Sequence, residues 1–379
     1  MNEMPMFAIT HVDVFDGSRT MSDQAIIVKG DTIQTVGPMQ DTPLPETTID
    51  ASGLTATAGF IDIQLNGCGG VLLNTDIRQS TLDIMNQTNL RHGTTQYLPT
   101  FITSDREPMR KVIDLIGDVE NREAQGILGL HLEGPFINTE KKGAHDPIHI
   151  RHLDEMTAYY LADHADKIKV ITLAPENCDQ SVIDILTEAG ITVSMGHTNA
   201  SYDVLLTKHG VTMATHLYNA MSPFGSREPG AVGYIFDKKP YTGIIVDGIH
   251  SDFASVRIAH QVLGNRLFMV TDAVTPAGTD MTEYDMAGTK AYVTGGKCHY
   301  ADGTIAGAAI TMIEGVNNLI HEVGLSREEA FRMASLYPAR ALNIDDQYGK
   351  IAAGYKANIT LLTPNNDVHH VFQMGIQKV

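Results

Sequence analysis

The chain has 379 residues, 43% of them apolar and 19% charged, enough to bury a sizeable core and too apolar for disorder. A formal net charge of −18 argues against nucleic acid or an anionic membrane as a partner, and an anionic substrate would need a local cluster of Arg, Lys or His against that field. The three scattered cysteines (Cys68, Cys178, Cys298) make no disulfide framework, no run of about 18 apolar residues marks a membrane span, and Met1 to Phe7 lacks a signal-peptide pattern, so a cytoplasmic location is expected.

Residues 1–55 read as a small all-β unit, with strand-like runs at 7–14 and 25–28 and turns at Asp16-Gly17 and Gly30-Asp31. From Gly59 short apolar runs alternate with helical patterns. The runs are 59–66, 94–101, 127–136, 169–176, 192–197, 213–221, 243–250 and 267–273, eight in all. Helical patterns lie between most of them, at 81–91, 107–120, 154–165, 179–189, 202–209 and 253–263, with Ser80, Ser181 and Ser251 as candidate caps. Eight strands alternating with helices predict an α/β fold, a (β/α)8 TIM-type barrel with its functional residues at the strand C-termini; a doubly wound open sheet is the alternative. Residues 275–305, rich in Gly and Thr, read as an insertion at the barrel mouth. Helical patterns return at 308–323, 326–334 and 338–342, and 349–354, 358–362 and 368–371 revert to strand. The expected organisation is a barrel over 56–344 and a small β-sandwich domain built from 1–55 and 345–379.

Four of the apolar runs finish in a ligand-type or acid/base residue: Glu133, His197, His216 and Asp272. Two neutral imidazoles and one carboxylate suit a Zn2+-type ion and leave an open position for water, which such an ion acidifies. Any one of these residues could merely fill a barrel layer; three at separate strand ends, with an acid at a fourth, favour a site. Asp272 beside that water is placed to accept its proton and return it to a leaving group. On the first strand Asp62, Gln64 and Asn66 share one face. Neutral amides are poor ligands, so one metal is expected rather than two, with Gln64 and Asn66 supporting the ligands or marking a vestigial second metal position. His145, on the loop after the third strand, is a candidate to polarise a carbonyl. His250, ending the seventh strand, is weighed in the same way, and Arg227, in a Gly/Pro-shaped loop, is a candidate anion clamp. His131 is read as structural and Cys68 as a plain loop thiol.

Taken in order, the stretches Gly59-Phe60-Ile61-Asp62-Ile63-Gln64-Leu65-Asn66-Gly67, His131-Leu132-Glu133-Gly134-Pro135-Phe136, Gly143-Ala144-His145, Ser194-Met195-Gly196-His197-Thr198, Thr215-His216-Leu217-Tyr218-Asn219-Ala220-Met221, Val246-Asp247-Gly248-Ile249-His250 and Val270-Thr271-Asp272-Ala273 resemble the amidohydrolase superfamily, and within it the N-acetylglucosamine-6-phosphate deacetylase family. The resemblance covers essentially the whole chain. It implies hydrolysis of the acetamido group of an N-acetylated amino-sugar phosphate, to acetate and the free amine, in amino-sugar catabolism and cell-wall sugar recycling. It implies metal binding by Glu133, His197 and His216, with zinc foremost among divalent transition metals. Asp272 would be the general base and acid, and His145 would hold the acetamido carbonyl. Ala144, Asn219, Ala220, Asp247, Ile305, Ala306, Gly307 and Ala308 would line the sugar site. Arg227 and His250 would handle the phosphate, in part through a neighbouring subunit of a homodimer. Enzymes of the family carry His-x-His on the first strand or lack it; Gln64-x-Asn66 puts this chain with the single-metal type. The rival readings are another amidohydrolase, acting on a cyclic amide or a nucleobase, and a metal-binding scaffold without turnover.

Overall fold

Eight parallel strands form one sheet in the computed structural model, which describes residues 5–286 and 288–379. They are β1 (Phe60–Leu65), β2 (Thr94–Ile102), β3 (Leu130–Glu133), β4 (Ile168–Leu173), β5 (Thr192–Met195), β6 (Val211–Ala214), β7 (Tyr241–Ile245) and β8 (Leu267–Val270). The spatial order follows the chain order, which excludes a doubly wound sheet. The seam between β8 and β1 closes at its C-terminal end. There Asp272 N–H donates to Gln64 O at 2.9 Å and Asn66 N–H to Ala273 O at 3.0 Å. Pro99 in β2 offers no N–H, and the β1–β2 register slips between Asp62 and Leu65; the Leu65 amide donates instead to Thr100 Oγ1 at 2.9 Å.

A helix follows each strand: α1 (Gln79–Arg91), α2 (Arg106–Asp118), α3 (Glu155–Ala162), α4 (Gln180–Glu188), α5 (Tyr202–Leu206), α6 (Gly230–Lys238), α7 (Phe253–Leu263) and α8 (Met312–His321). In α2 the buried residues Met109, Val112, Ile113 and Ile116 recur at helical spacing, and Asp105 caps the first turn. Each such side chain contributes about 1.5–3 kcal/mol on burial.

Several sequence expectations are corrected here. The candidate caps Ser80 and Ser181 lie inside α1 and α4, whose N-caps are Arg78 and Asp179; Ser251 precedes the true cap of α7, Asp252, whose carboxylate accepts from Ala254 N–H. Helix α6 was not expected, because Gly230 and Gly233 depress helix propensity. Packing explains Gly233: a Cβ there would lie 2.3 Å from Pro229 Cβ. The third and sixth apolar runs outlast their strands. Gly134 turns out of β3 at φ +79°, and His216 turns out of β6 at φ +34°. Residues 349–354 are turns rather than strand, and the helix expected from Ala308 starts at Met312, behind a Thr311–Glu314 capping box.

The insertion folds as a four-stranded antiparallel sheet, Glu283–Met286, Thr289–Thr294, Lys297–His299 and Ile305–Ala308, joined to the barrel by a bridge between Ala273 and Ala308. Strands from both ends of the chain make a third sheet. Thr55–Ala58 pairs with Met6–Phe15 on one side and with Ile359–Leu362 on the other, over an apolar core that includes Ile9, Val28, Ile33, Leu361 and Phe372. Only Gly59 separates that sheet from β1; a Cβ there would lie 2.1 Å from Thr95 Oγ1.

Candidate active site

The ends of β3, β5, β6 and β8 converge on a cavity of about 160 Å3 lined by Glu133, His197, His216, Asp272, Asn66, His145, His250, Ala144, Asn219, Ala220, Ile305 and Gly307, among others. Each acid or imidazole reaches it by a local device. Glu133 is the last residue of β3. His197, His216 and Asp272 instead sit just beyond their strands with left-handed φ of +47°, +34° and +49°. That conformation costs a non-glycine residue about 1–3 kcal/mol and persists only where the surroundings over-determine it. It turns the side chain toward the cavity: Thr215 and Thr271 already face the barrel interior, so a continued strand, alternating sides, would point His216 and Asp272 outward.

Glu133 Oε1 lies 2.9 Å from His216 Nε2 and 3.2 Å from His197 Nε2, and the two nitrogens are 3.1 Å apart. All three side chains are buried. His197 Nδ1 is 2.7 Å from the Lys141 carbonyl oxygen, which can only accept, so Nδ1 carries the proton and Nε2 turns a lone pair on the carboxylate. Lone pairs facing one another across about 3 Å need positive charge between them. A tetrahedral ion with bonds of about 2.0–2.1 Å has ligand–ligand edges of about 3.3 Å, close to this triangle, so the three residues fit a divalent metal. Burial alone would raise the Glu133 carboxyl, yet contacts from His197 and His216 hold it well below the usual carboxylate range. Glu133 in turn raises His216 despite its burial. A carboxylate that stays ionised while buried is set to hold a cation.

Gln64 and Asn66 meet the acids directly. Gln64 Nε2 donates to Glu133 Oε1 at 3.0 Å and Asn66 Nδ2 to Asp272 Oδ1 at 2.7 Å. Their amides therefore orient the two carboxylates. Burial, followed by the Glu133 charge, pushes the Asp272 carboxyl up to about 6, against the pull of His216, His250 and the Asn66 amide. His145 is buried against His197, ring centroids 4.3 Å apart, with Nδ1 2.7 Å from Thr103 Oγ1. Burial, with the neighbouring His197 second, lowers its pKa to about 3, so it is a neutral imidazole. If the Thr103 hydroxyl donates to Nδ1, Nε2–H is left to donate elsewhere.

The other sequence candidates divide. His250 lines the cavity, and Asp247 holds it through a 2.6 Å contact to Nδ1 while accepting from the His250 and Ile249 amides. Asp247 thus serves His250 and is not among the lining residues. Ala306 and Ala308 are buried behind the wall, Ala308 tied to Val274 by a backbone hydrogen bond. Arg227 stands exposed on its loop, outside the lining. His131 lies below the site, between the Ile63 carbonyl and Thr172 Oγ1 at 2.9 and 2.7 Å. Cys68 is buried against the Met85 carbonyl, and burial pushes its thiol far up, away from nucleophile chemistry. Sequence reasoning missed the apolar wall of Ile102, Val274 and Met286 and the supports Thr103 and Lys141 O. Thr103 follows β2 directly, and that strand-end position was the signal available for it.

Comparison with known proteins agrees in kind with this geometry. The pattern of the amidohydrolase family matches residues 55–377. The N-acetylglucosamine-6-phosphate deacetylase of Haemophilus influenzae is 41% identical over 367 residues, 96% of each chain. The N-acetylgalactosamine-6-phosphate deacetylase of a Shewanella species is 36% identical over 85% of this chain and 82% of its own. The crystal structure of N-acetylglucosamine-6-phosphate deacetylase from Pasteurella multocida superposes with a TM-score of 0.94 at 42% identity, over 99% of this chain and all of that one. With a matched family pattern over most of its length, a full-length relative of the same kind and the same fold around a Glu/His/His cluster, the chain belongs to the amidohydrolase family.

Proposed function

We propose that the chain hydrolyses the acetamido group of N-acetyl-D-glucosamine 6-phosphate to D-glucosamine 6-phosphate and acetate. One observation carries the reading: a metal-type triad and a carboxylate of raised pKa face one cavity, in a chain 41% identical to a deacetylase of that substrate. Glu133, His197 and His216 would hold a divalent ion, zinc first among the candidates, which would supply Lewis acidity and an acidified water. Asp272 takes the proton of the attacking water. His145, neutral and anchored by Thr103, donates a hydrogen bond to the carbonyl oxygen as negative charge develops on it. Asp272 then returns the proton to the amine nitrogen as the C–N bond breaks, so water is divided between acetate and amine.

Asn219, Ala220, Ala144, Ile305 and Gly307 enclose the sugar, with Ala306 and Ala308 packed behind them. His250, clamped by Asp247, and Arg227 on the loop beyond Ala220 receive the phosphate. Arg227, exposed and outside the cavity of its own chain, would reach the phosphate in a homodimer, where a neighbouring subunit completes the contact. Segments 1–55 and 345–379 form one small unit beside the barrel of 56–344, and the enzyme works in the cytoplasm; no helix among the described residues is long and apolar enough to cross a membrane.

The test is acetate release from N-acetylglucosamine 6-phosphate, run beside its galactosamine epimer and unphosphorylated N-acetylglucosamine, with metal content measured on the same sample. Turnover of a phosphorylated sugar with about one metal per chain is the expected result. The ratio of kcat/KM for the two epimers decides between the two kinds of relative. No release from metal-loaded protein would sink the reading.

A further inference from the structure

Asp62 is 1% exposed, yet among the described residues no cation faces it. A buried carboxylate is costly unless its oxygens are used, and burial pushes this one up to about 7. Its oxygens are spent on the closing seam of the barrel. Oδ1 accepts from Thr271 N–H at 3.3 Å and from Gln64 N–H at 3.2 Å, and Oδ2 accepts from the Thr271 hydroxyl. The Thr271 hydroxyl also accepts from Ala273 N–H at 3.2 Å. Asp62 and Thr271 therefore bracket the backbone on both sides of Asp272, which holds a left-handed φ of +49°. Directly above, Asp272 N–H donates to Gln64 O and Asn66 Nδ2 to Asp272 Oδ1. β1 and the residue that follows it thus supply three polar residues at alternate positions, and each has a separate partner: Asp62 the residue before Asp272, Gln64 the Glu133 ligand oxygen, Asn66 the Asp272 carboxylate.

We propose that Asp62 is a positioning residue for the hydrolysis: by holding Thr271 through its hydroxyl and its amide, it fixes the β1–β8 seam and keeps Asp272 turned into the cavity. Asp62 hydrogen-bonds to none of the three ligand side chains and reaches Gln64 only through its backbone amide, so its effect falls on the proton-transfer step and spares metal binding. The inference rests on the role given to Asp272 above.

The experiment uses the metal-loaded full chain with N-acetylglucosamine 6-phosphate and three variants, Asp62→Ala, Asp62→Asn and Thr271→Val, with metal content and thermal midpoint measured beside kinetics. Removing a partner that orients a functional group typically costs 10–100-fold. The expected result is a kcat lowered by about that factor in Asp62→Ala, with KM and metal content kept. Asp62→Asn, which still accepts from both amides, recovers most of the turnover. Thr271→Val lowers kcat less, with the same split. If Asp62→Ala does not fold, Thr271→Val decides: unchanged kcat there overturns the proposal. So does wild-type kcat in Asp62→Ala, loss of metal in step with loss of activity, or Asp62→Asn as damaged as Asp62→Ala. Asp272→Asn is run as the control. Activity retained in that variant overturns the role of Asp272 itself; activity lost there but full in Asp62→Ala overturns only the inference about Asp62.

Discussion

Among the described residues two glutamates are met by a histidine Nε2, and only one of them faces the cavity. Glu329, on the helix Arg327–Ala334, accepts from His260 Nε2 at 2.8 Å, Arg332 Nε at 2.8 Å and the Tyr337 hydroxyl at 3.1 Å. These groups bring their own protons and a permanent positive charge, and the cluster is complete. Burial opposes ionisation there, but His260 and Arg332 pull the carboxyl down to about 2. Around Glu133 only the Gln64 amide is an unconditional donor. Its two imidazole nitrogens converge on the same oxygen from which a metal would be held, one of them fixed as a lone pair by the Lys141 carbonyl. Glu–His contacts of similar length therefore mean opposite things. What separates them is the Arg332 guanidinium beside Glu329 and the Lys141 carbonyl that fixes the far nitrogen of His197 as the donor.

Substitutions should break this contrast in order of size. Asp272→Asn removes the base while Asn66 and the seam still hold the side chain; turnover should drop by about 10²–10⁴-fold with metal retained, and near-normal turnover would contradict the assignment. His216→Ala opens the triad. Metal content should fall below one per chain together with activity, and excess divalent ion should restore little; a variant that keeps its metal tightly would show that Glu133 and His197 suffice. Asn66→Ala, which frees the Asp272 carboxylate, should lower kcat by about 10–100-fold with metal content intact.

Glu329→Gln is the matching change in the other cluster. It should leave kcat within the error of the assay and lower stability by about 2 kcal/mol, read as a denaturant midpoint. The pH dependences also differ. The folded Glu329 pKa lies below its ordinary value of 4.5, so its stabilisation is present above that value and is lost as pH falls through about 2. Asp272 is raised to about 6 and must be ionised to accept a proton, so kcat/KM should show an acid limb; a bound cation, favouring the ionised form, moves that limb below 6. The smallest effect is at the α7 cap. Asp252→Ala should cost about 0.5–2 kcal/mol and leave both clusters working.

The strand-end residues were legible because chemistry and position are both local. An apolar run of four to nine residues stopping at Glu, His or Asp shows in the chain itself, and so does its repetition. The helices were less legible where glycine was demanded by packing, as in α6. The strand limits were misread where His216 leaves β6 through a backbone conformation that no side-chain pattern announces.

By itself, then, the sequence determined the alternation of strands and helices, the residue types at the strand ends and the substitution of amides for His-x-His. The tertiary structure alone decided what those groups do to one another. Gln64 meets Glu133 across 69 positions, and Asn66 meets Asp272 across 206. The proton on His197 Nδ1 is fixed by a carbonyl 56 residues away. Ionisation, tautomer and orientation depend on burial and on partners brought close by closing the barrel, and electrostatic energy depends on distance in space, whatever the distance along the chain.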